Sequence, residues 1–427
     1  KQHTADKALR KARLLSVSLN ALSKEEAVEE LANLFIKESY GLHQRHCAKD
    51  PVTNKRVSIG LIRMANIEPL VAVARLMIAG KVPENARIHL CVYHSQHPMI
   101  VRSDIEAMLD SVLGRHDGHA IWQQPSIRHA LDTHPEKDHL FIVLGSPVTE
   151  VGRDHDYDWA VAEPSSMRSL IQLAGRIQRH RQQVPSEDNM LILDTNFKGM
   201  KKHAEKEKAY DLIFTRPGFE AFTSADKAGE GPLLLNSDSL NSLLEKADYQ
   251  YISSIPRIAV KQRSMVGDSL IDIEHLNTHL ALTRHPELQL TDLKPADYWW
   301  ESDKSHTWHG ELQRLTRFRR STPSEVFTFH LEDEFDEMTF IRFGDGEWDM
   351  RPQNEMVGLM SDQELVISSR VSQWGNADLK SLYLRLSEKL ERELDVVSKQ
   401  FGQVSLRKLN VGDQYKYHPW LGFFSNG

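Results

Sequence analysis

Through its first half the chain alternates between short apolar runs and longer segments with apolar residues at helical spacing. Leu22 to Tyr40 places Ala27, Leu31, Leu34 and Phe35 on one helical face and Ser23 where an N-cap belongs. Val57 to Met64 has the length and composition of a strand, and Pro69 to Ala79 reads as a helix closed by Gly80. Arg87 to Tyr93 is a second strand, and Met99 to Leu113 a helix ending at Gly114. Two further apolar runs follow, His139 to Leu144 and Asp158 to Ala162, then a helix predicted from Ser165 to about His180 and a strand from Met190 to Leu193. Strand and helix taking turns over short links require a parallel sheet covered by helices. Ligands of such α/β sheets gather at the carboxyl ends of the strands.

The rhythm changes after about residue 225. Gly229, Gly231 and Pro232 interrupt the chain, and the next hundred or so residues read as polar and helical. Ser321-Thr322-Pro323-Ser324 makes a second break; beyond it Val326 to Leu331 and Met338 to Phe343 read as strands, and Leu379 to Phe401 as one long charged helix. The expected division is an α/β domain over 1–225, a helical linker over 226–323 and a small α+β C-terminal domain over 324–427. With 40% hydrophobic and 26% charged residues, the 427-residue chain has the material for packed cores, and a disordered or collagen-like chain is excluded. No apolar stretch approaches the ~18 residues of a membrane span. Two cysteines, Cys47 and Cys91, cannot build a disulfide framework, so a reducing, cytoplasmic compartment is expected. The chain opens at Lys1 with a basic stretch and no apolar signal core behind it, and reads as a piece of a longer polypeptide.

The chemistry concentrates in VLGSPVTEVGRDHDYDWAVAEPSSMRSLIQLAGRIQRHR, Val143 to Arg181. A strand ends at Ser146; a polar loop with Thr149, Glu150, Gly152 and Asp154 follows; a second strand leads into the predicted helix. On that helix, spacings of three and four put Gln172, Arg176 and Arg179 on one face, and Gly175 removes a side chain between them. Two guanidiniums on one face offer forked donors and permanent charge to a polyphosphate. Arg181, two residues on, is expected to point elsewhere and to tolerate substitution.

This combination resembles motifs V and VI of superfamily-2 helicases, T-x-x-x-E-x-G-x-D followed by Q-x-x-G-R-x-x-R, and Val92-Tyr93-His94-Ser95 at a strand end resembles their motif IV. The wording VTEVGRDHDYDWAV followed by QLAGRIQRHR is similar to the CRISPR-associated helicase–nuclease of type I systems, in its I-F form. The resemblance is strong over about residues 57 to 197 and weaker from there to Gly427. It implies a second RecA-like lobe over 1–225 and an ATP-driven 3′-to-5′ single-stranded DNA translocase and nuclease. It further implies that Arg179 is the arginine finger toward the γ-phosphate, with Arg176 beside it and Gln172 near the attacking water. Gly152, Asp154 and Gly175 then belong to the nucleotide side. His94, Ser95, Ser146 and Thr149 belong to the DNA side, Ser146 standing where the family pattern has Thr. Single-stranded DNA, a guide-RNA surveillance complex, the CRISPR integrase and phage anti-CRISPR inhibitors are the partners the resemblance implies.

The rest of the sequence sets bounds on that reading. No G-x-x-x-x-G-K-[ST] occurs, so ATP and Mg²⁺ are expected to be held mostly by a preceding lobe, and the nuclease's divalent metal by a preceding domain. Asp333-Glu334-Phe335-Asp336 resembles D-E-x-D but lies between two strand-like runs and reads as an acidic turn. His155-Asp156 belongs to motif V, and His116-Asp117 lies in a glycine loop without further ligands at helical spacing, so no metal site is expected in this chain. Arg314, Arg317, Arg319 and Arg320 form a cluster without acidic residues, read either as a single-stranded DNA path through Arg317 and Arg320 or as a solvated connector. Trp299, Trp300, Trp308, Trp348, Trp374 and Trp420 are read as stacking platforms or as core. Lys and Arg number 53 against 60 Asp and Glu, so any nucleic-acid surface must be local. Two rival functions remain open: a generic DExH helicase fragment acting on RNA or repair intermediates, and a partner-docking module without catalysis.

Overall fold

The computed structural model describes residues 10–19, 21–150, 153–181, 184–201, 214, 239–252, 323–344, 346–353, 355–375, 378–409 and 413–425. Gly152, the arginines 314–320 with Arg317 and Arg320, Trp299, Trp300, Trp308 and most of the linker lie outside the described residues.

The expected alternation is present. Strands β1 (Ala12–Leu15), β2 (Ala48–Lys49), β3 (Arg56–Arg63), β4 (Ala86–Tyr93), β5 (Asp138–Gly145), β6 (Trp159–Ala162) and β7 (Met190–Leu193) interleave with helices at Lys24–His46, Ile67–Ala79, Met99–Leu113, Pro125–Thr133 and Met167–Ala174. The first helix starts where the sequence says it should. Ser23 accepts the Glu26 N–H while the Glu26 carboxylate reaches back to the Ser23 N–H, a reciprocal cap. The sheet runs β1-β7-β6-β3-β5-β4, all parallel, with β2 pairing antiparallel to the start of β3.

Alternate residues explain why the sheet must be covered twice. Val57, Ile59, Leu61, Cys91, Phe141 and Val143 enter one core, and Ile62, Leu90, Val92, Leu140, Ile142 and Leu144 enter the other. Gly60 is needed at the centre of β3, because a Cβ there would meet the Trp159 ring at 2.1 Å.

The C-terminal part holds two small sheets. β8 (Ser324–His330), β9 (Thr339–Gly344), β10 (Glu347–Asp349) and β13 (Val404–Arg407) form an antiparallel sheet ordered β10-β9-β8-β13. β11 (Val357–Leu359), β14 (Tyr415–His418) and β15 (Gly422–Ser425) form the other. The Asp333–Asp336 run is the expected acidic turn: Asp333 Oδ1 accepts the Phe335 N–H, and Asp336 Oδ2 accepts that of Asp333. Trp374 and Trp420 are core residues, 3% exposed each, and Trp348 packs edge-on against Phe343.

One expectation is corrected. The helix expected over Leu379 to Phe401 is two helices, Leu379–Leu390 and Leu394–Phe401, because Glu391 turns left-handed at φ 52°. The part expected as a small domain from residue 324 also contributes a strand to the large sheet. Strand β12 (Val371–Gln373) pairs parallel with β4, Val371 opposite Ile88 and Gln373 opposite Leu90, and becomes the last strand of the sheet.

Candidate functional site

Between the carboxyl ends of the parallel strands and the C-terminal part lies a groove of about 900 Å³. Ala65 and Asn66 border it just beyond β3, Ser95 and Gln96 beyond β4, Ser146 beyond β5, and Lys198 and Lys201 beyond β7. Arg407, Lys408 and Tyr415 face them from the C-terminal sheets. Among the described residues its lining includes six cations, Lys24, Arg102, Lys198, Lys201, Arg407 and Lys408, against one carboxylate, Glu68. The chain as a whole is negative at −7, so positive charge is concentrated where the strand ends open.

The residues expected to touch DNA divide in this geometry. Ser95 is exposed and lines the groove; Ser146 also lines it, although only 2% of its surface is open. Thr149 is buried and turns its hydroxyl back to the Ser146 carbonyl at 3.0 Å. His94 is fully buried, its Nε2 donating to the Leu421 carbonyl at 2.8 Å and its Nδ1 accepting the Gln96 N–H at 3.2 Å.

Motif VI is built differently from the expected helix face. The helix from Met167, capped by the Ser166 side chain, stops at Ala174, and Gly175 closes it. Gln172 is exposed on its last turn; Arg176 and Arg179 lie beyond it in a loop where Gln178 takes φ 47°. The three side chains therefore do not share one helical face. The loop is held by a buried carboxylate instead: Asp156 accepts the N–H groups of Arg179 and His180, each at 3.2 Å. A side-chain acceptor at these positions replaces the carbonyls that a continuing helix would have offered.

Each guanidinium then has its own task. Arg176 is half-buried and donates to the backbone carbonyls of Arg153 and, at 3.1 Å, Glu150, tying motif V to motif VI. Arg179 is exposed, its Nε 2.5 Å from Asp154 Oδ1. Hydrogen bonding from His180, with the charge of Arg179 added, holds Asp154 below the usual carboxylate range. Arg181 is not peripheral, which corrects the expectation. It forks onto Asp156 at 2.8 and 3.0 Å and reaches Asp158 at 2.5 Å; Asp158 also takes Arg115 at 2.7 Å and the Ile59 N–H at 2.7 Å. Burial pushes the Asp158 carboxyl upward, but Arg115 and Arg181 bring it below its ordinary value.

His116, Asp154 and His180 bring ligand-type atoms within 4.8 Å of one another, a grouping that spacing along the sequence did not suggest. His180 Nδ1 accepts the Arg115 N–H at 3.1 Å, so Nε2, 3.1 Å from Asp154, carries the proton and has no lone pair to offer a cation. His155 is spent on Asp110 at 2.9 Å.

Comparison with known proteins finds similarity to CRISPR-associated proteins in both halves of the chain. Residues 56–182 match the domain family described as CRISPR-associated nuclease/helicase Cas3, C-terminal, and residues 329–425 match CRISPR-associated Cas3 subtype I-F/YPEST-like, C-terminal domain. Both stretches belong to Cas3-like C-terminal families. The chain is 38% identical over 421 residues to the CRISPR-associated nuclease/helicase Cas3 subtype I-F/YPEST of Pectobacterium atrosepticum, and 35% identical over 423 residues to that of Pseudomonas aeruginosa. Each alignment covers 97% of this chain and 36% of the relative, so the chain spans about a third of the relatives' length. A structure titled "Crystal structure of CRISPR-associated protein" superposes over 98% of this chain and 41% of that one, at 13% identity and a TM-score of 0.35. One titled "Crystal structure of T. fusca Cas3-ATP" covers 44% of this chain and 18% of that one, at 18% identity and 0.29. The fold assignment rests on the strand order above rather than on these superpositions.

In this Cas3-like chain several groove and loop residues had escaped sequence reasoning. Arg102, Lys198, Lys201, Arg407 and Lys408 are ordinary surface cations when read along the chain, and only the fold collects them. Asp156, Asp158 and Arg181 carried a signal in the D-H-D-Y-D and R-H-R runs, but their pairing crosses more than twenty residues.

Proposed function

We propose that this chain is the C-terminal part of an ATP-driven 3′-to-5′ single-stranded DNA translocase and nuclease acting in type I-F CRISPR interference. The observation that carries the reading is the groove: six cations and the Ser95 and Ser146 loops converge at the carboxyl ends of a parallel sheet, where phosphates find charge and hydrogen-bond donors. The second support is that Arg179 and Asp154, both exposed, stand apart from that groove, so nucleotide and DNA would be met by separate surfaces.

ATP with Mg²⁺ fits this surface only in part. Arg179 and Asp154 offer a guanidinium and a carboxylate, but the sequence has no loop to cradle phosphates, so a preceding lobe would hold most of the nucleotide. ATP hydrolysis would supply the free energy for movement. This chain's own residues do the positioning: Arg176 fixes the motif V backbone, Asp156 fixes that of Arg179, and Asp154 holds the Arg179 guanidinium outward. The nuclease metal would belong to a preceding domain. The surveillance complex, the integrase and anti-CRISPR inhibitors enter the proposal as partners of the whole polypeptide, and the arginines at 317 and 320 as further contacts to DNA.

The test is binding of a fluorescent oligothymidine by this chain at several salt concentrations. Affinity should fall steeply with salt, and Lys198→Glu with Arg407→Glu should weaken it and reduce the slope of log Kd against log salt by about 2. Binding that ignores salt, or is unchanged in the double variant, overturns the groove as the DNA surface.

A further inference from the structure

The loop after β4 delivers Ser95 and Gln96 to the groove, yet its shape is set from the other end of the chain. The Leu421 carbonyl takes the His94 Nε2–H at 2.8 Å, and the Gln96 carbonyl takes the Phe423 N–H at 2.9 Å. Trp420 donates its indole N–H to the Leu90 carbonyl of β4 at 2.9 Å, and Ser425 donates to the groove carboxylate Glu68 at 2.8 Å. Gly422, at φ 71°, lets the hairpin approach, since a Cβ there would meet His94 Cε1 at 2.8 Å. We infer that the hairpin Tyr415–Ser425 is a strut that holds the loop after β4 in its DNA-binding shape, with His94 as the positioning residue between them.

The imidazole is suited to that task and to no contact with DNA. It is fully buried, with both nitrogens engaged, one as donor and one as acceptor, which fixes the neutral tautomer. Burial lowers its pKa to about 4, so it remains uncharged at neutral pH and offers nothing to a phosphate. Ser95 and Gln96, in contrast, reach the groove only while the loop keeps this shape. Nothing in the family pattern at residues 92–95 points to the hairpin, which lies more than three hundred residues away.

The inference rests on the groove binding DNA, and the experiment separates the two. Oligothymidine binding by the 427-residue chain is compared with that of His94→Ala, His94→Gln and Gly422→Ala, with amide hydrogen exchange measured on each. His94→Ala, which removes both imidazole hydrogen bonds, and Gly422→Ala, whose Cβ would push the hairpin off His94, should each weaken binding about 10-fold. The salt slope should stay the same, because no phosphate-neutralising cation is removed. Exchange at Gln96 and Phe423 should quicken together while β5 stays protected. His94→Gln, whose amide can still donate to Leu421, should recover most of the affinity. Wild-type affinity in His94→Ala, equal losses in His94→Ala and His94→Gln, or a flattened salt slope would overturn the strut. If Gly422→Ala unfolds, the His94 pair decides alone. If the wild-type chain binds no DNA, the groove reading fails, and uncoupled exchange at Gln96 and Phe423 then overturns the strut as well.

Discussion

The two oxygens of Asp156 accept four N–H donors: the backbones of Arg179 and His180, and the Nε and Nη2 of Arg181. A buried carboxylate so bonded is stable only while every partner stays, since removing one side of a buried ion pair leaves an uncompensated charge. Arg181→Ala should therefore destabilise the chain by about 3 kcal/mol in urea unfolding, and Arg181→Lys by less. The exposed Arg75 is the silent comparison. Asp156→Asn keeps one acceptor and turns an N–H₂ toward donors, so it should lower DNA-stimulated ATPase in the complete polypeptide while leaving oligothymidine binding intact. Arg179 itself has a different signature. If it meets the terminal phosphate in the transition state, Arg179→Ala and Arg179→Lys should both lose about 10³-fold in ATPase, because an ammonium lacks the fork. Their stability should be close to wild type, since the side chain is 43% exposed and its ion-pair partner Asp154 is 58% exposed. ATPase within tenfold of wild type in Arg179→Lys would remove the finger role.

At the scale of elements, Asp138 at the start of β5 clamps three segments. It receives His43 from the first helix at 3.3 Å and Arg56 from β3 at 2.5 and 2.6 Å. Burial alone would raise its carboxyl, but the bonds from His43 and Arg56 bring it down to about 2, against an ordinary 3.8. The folded value is depressed, so its contribution is present in full above pH ~4 and disappears as pH falls through the folded value. Acid titration of stability should show a loss on the order of 2 kcal/mol across that window, and Asp138→Asn should flatten it. The helices and strands of this half were legible because capping, glycine stops and apolar period all pointed the same way, as at Ser23, Gly80 and Gly114. Where elements ended early, the cause lay off the local sequence. Beyond Ala174 the N–H groups of Arg176 and Ile177 make short turns to Leu173 and Ala174, that of Gln178 goes to the Tyr157 carbonyl, and those of Arg179 and His180 go to Asp156, eighteen residues before Ala174. Glu391 breaks the C-terminal helix with no glycine or proline to announce it. Since its left-handed φ of 52° disfavours a side chain, Glu391→Gly should raise the unfolding midpoint, by a free energy of about 0.5–1 kcal/mol. A lower midpoint would mean that the glutamate side chain contributes more than the strain costs.

At the scale of the molecule, the two ends of the sequence share their cores. β12 covers the β4 edge of the parallel sheet, Trp374 packs edge-on against Phe141 at 5.1 Å, and Trp420, Leu421 and Phe424 sit in the same cluster as Ile88, Leu90 and Val92. Along the sequence this was hidden: β12 is three residues long, and a composition break at Ser321–Ser324 looks like a boundary whichever way the chain later turns. The groove was hidden for the same reason, since two of its six cations, Arg407 and Lys408, become neighbours of the others only after that return. Residues before and after position 324 therefore share packed structure. A chain ending at 323 would expose the backbone donors and acceptors of β4 together with the apolar bed of three buried aromatic rings. It should associate or precipitate where the whole chain stays in solution, and its thermal midpoint should fall by more than 10 °C, several kcal/mol on the scale of such domains. Supplying residues 324–427 as a separate polypeptide during refolding should restore solubility, and restore salt-dependent oligothymidine binding with it. If the 1–323 chain is instead monomeric by size exclusion and melts near the whole chain, β12 and the hairpin dock onto a domain that is complete without them.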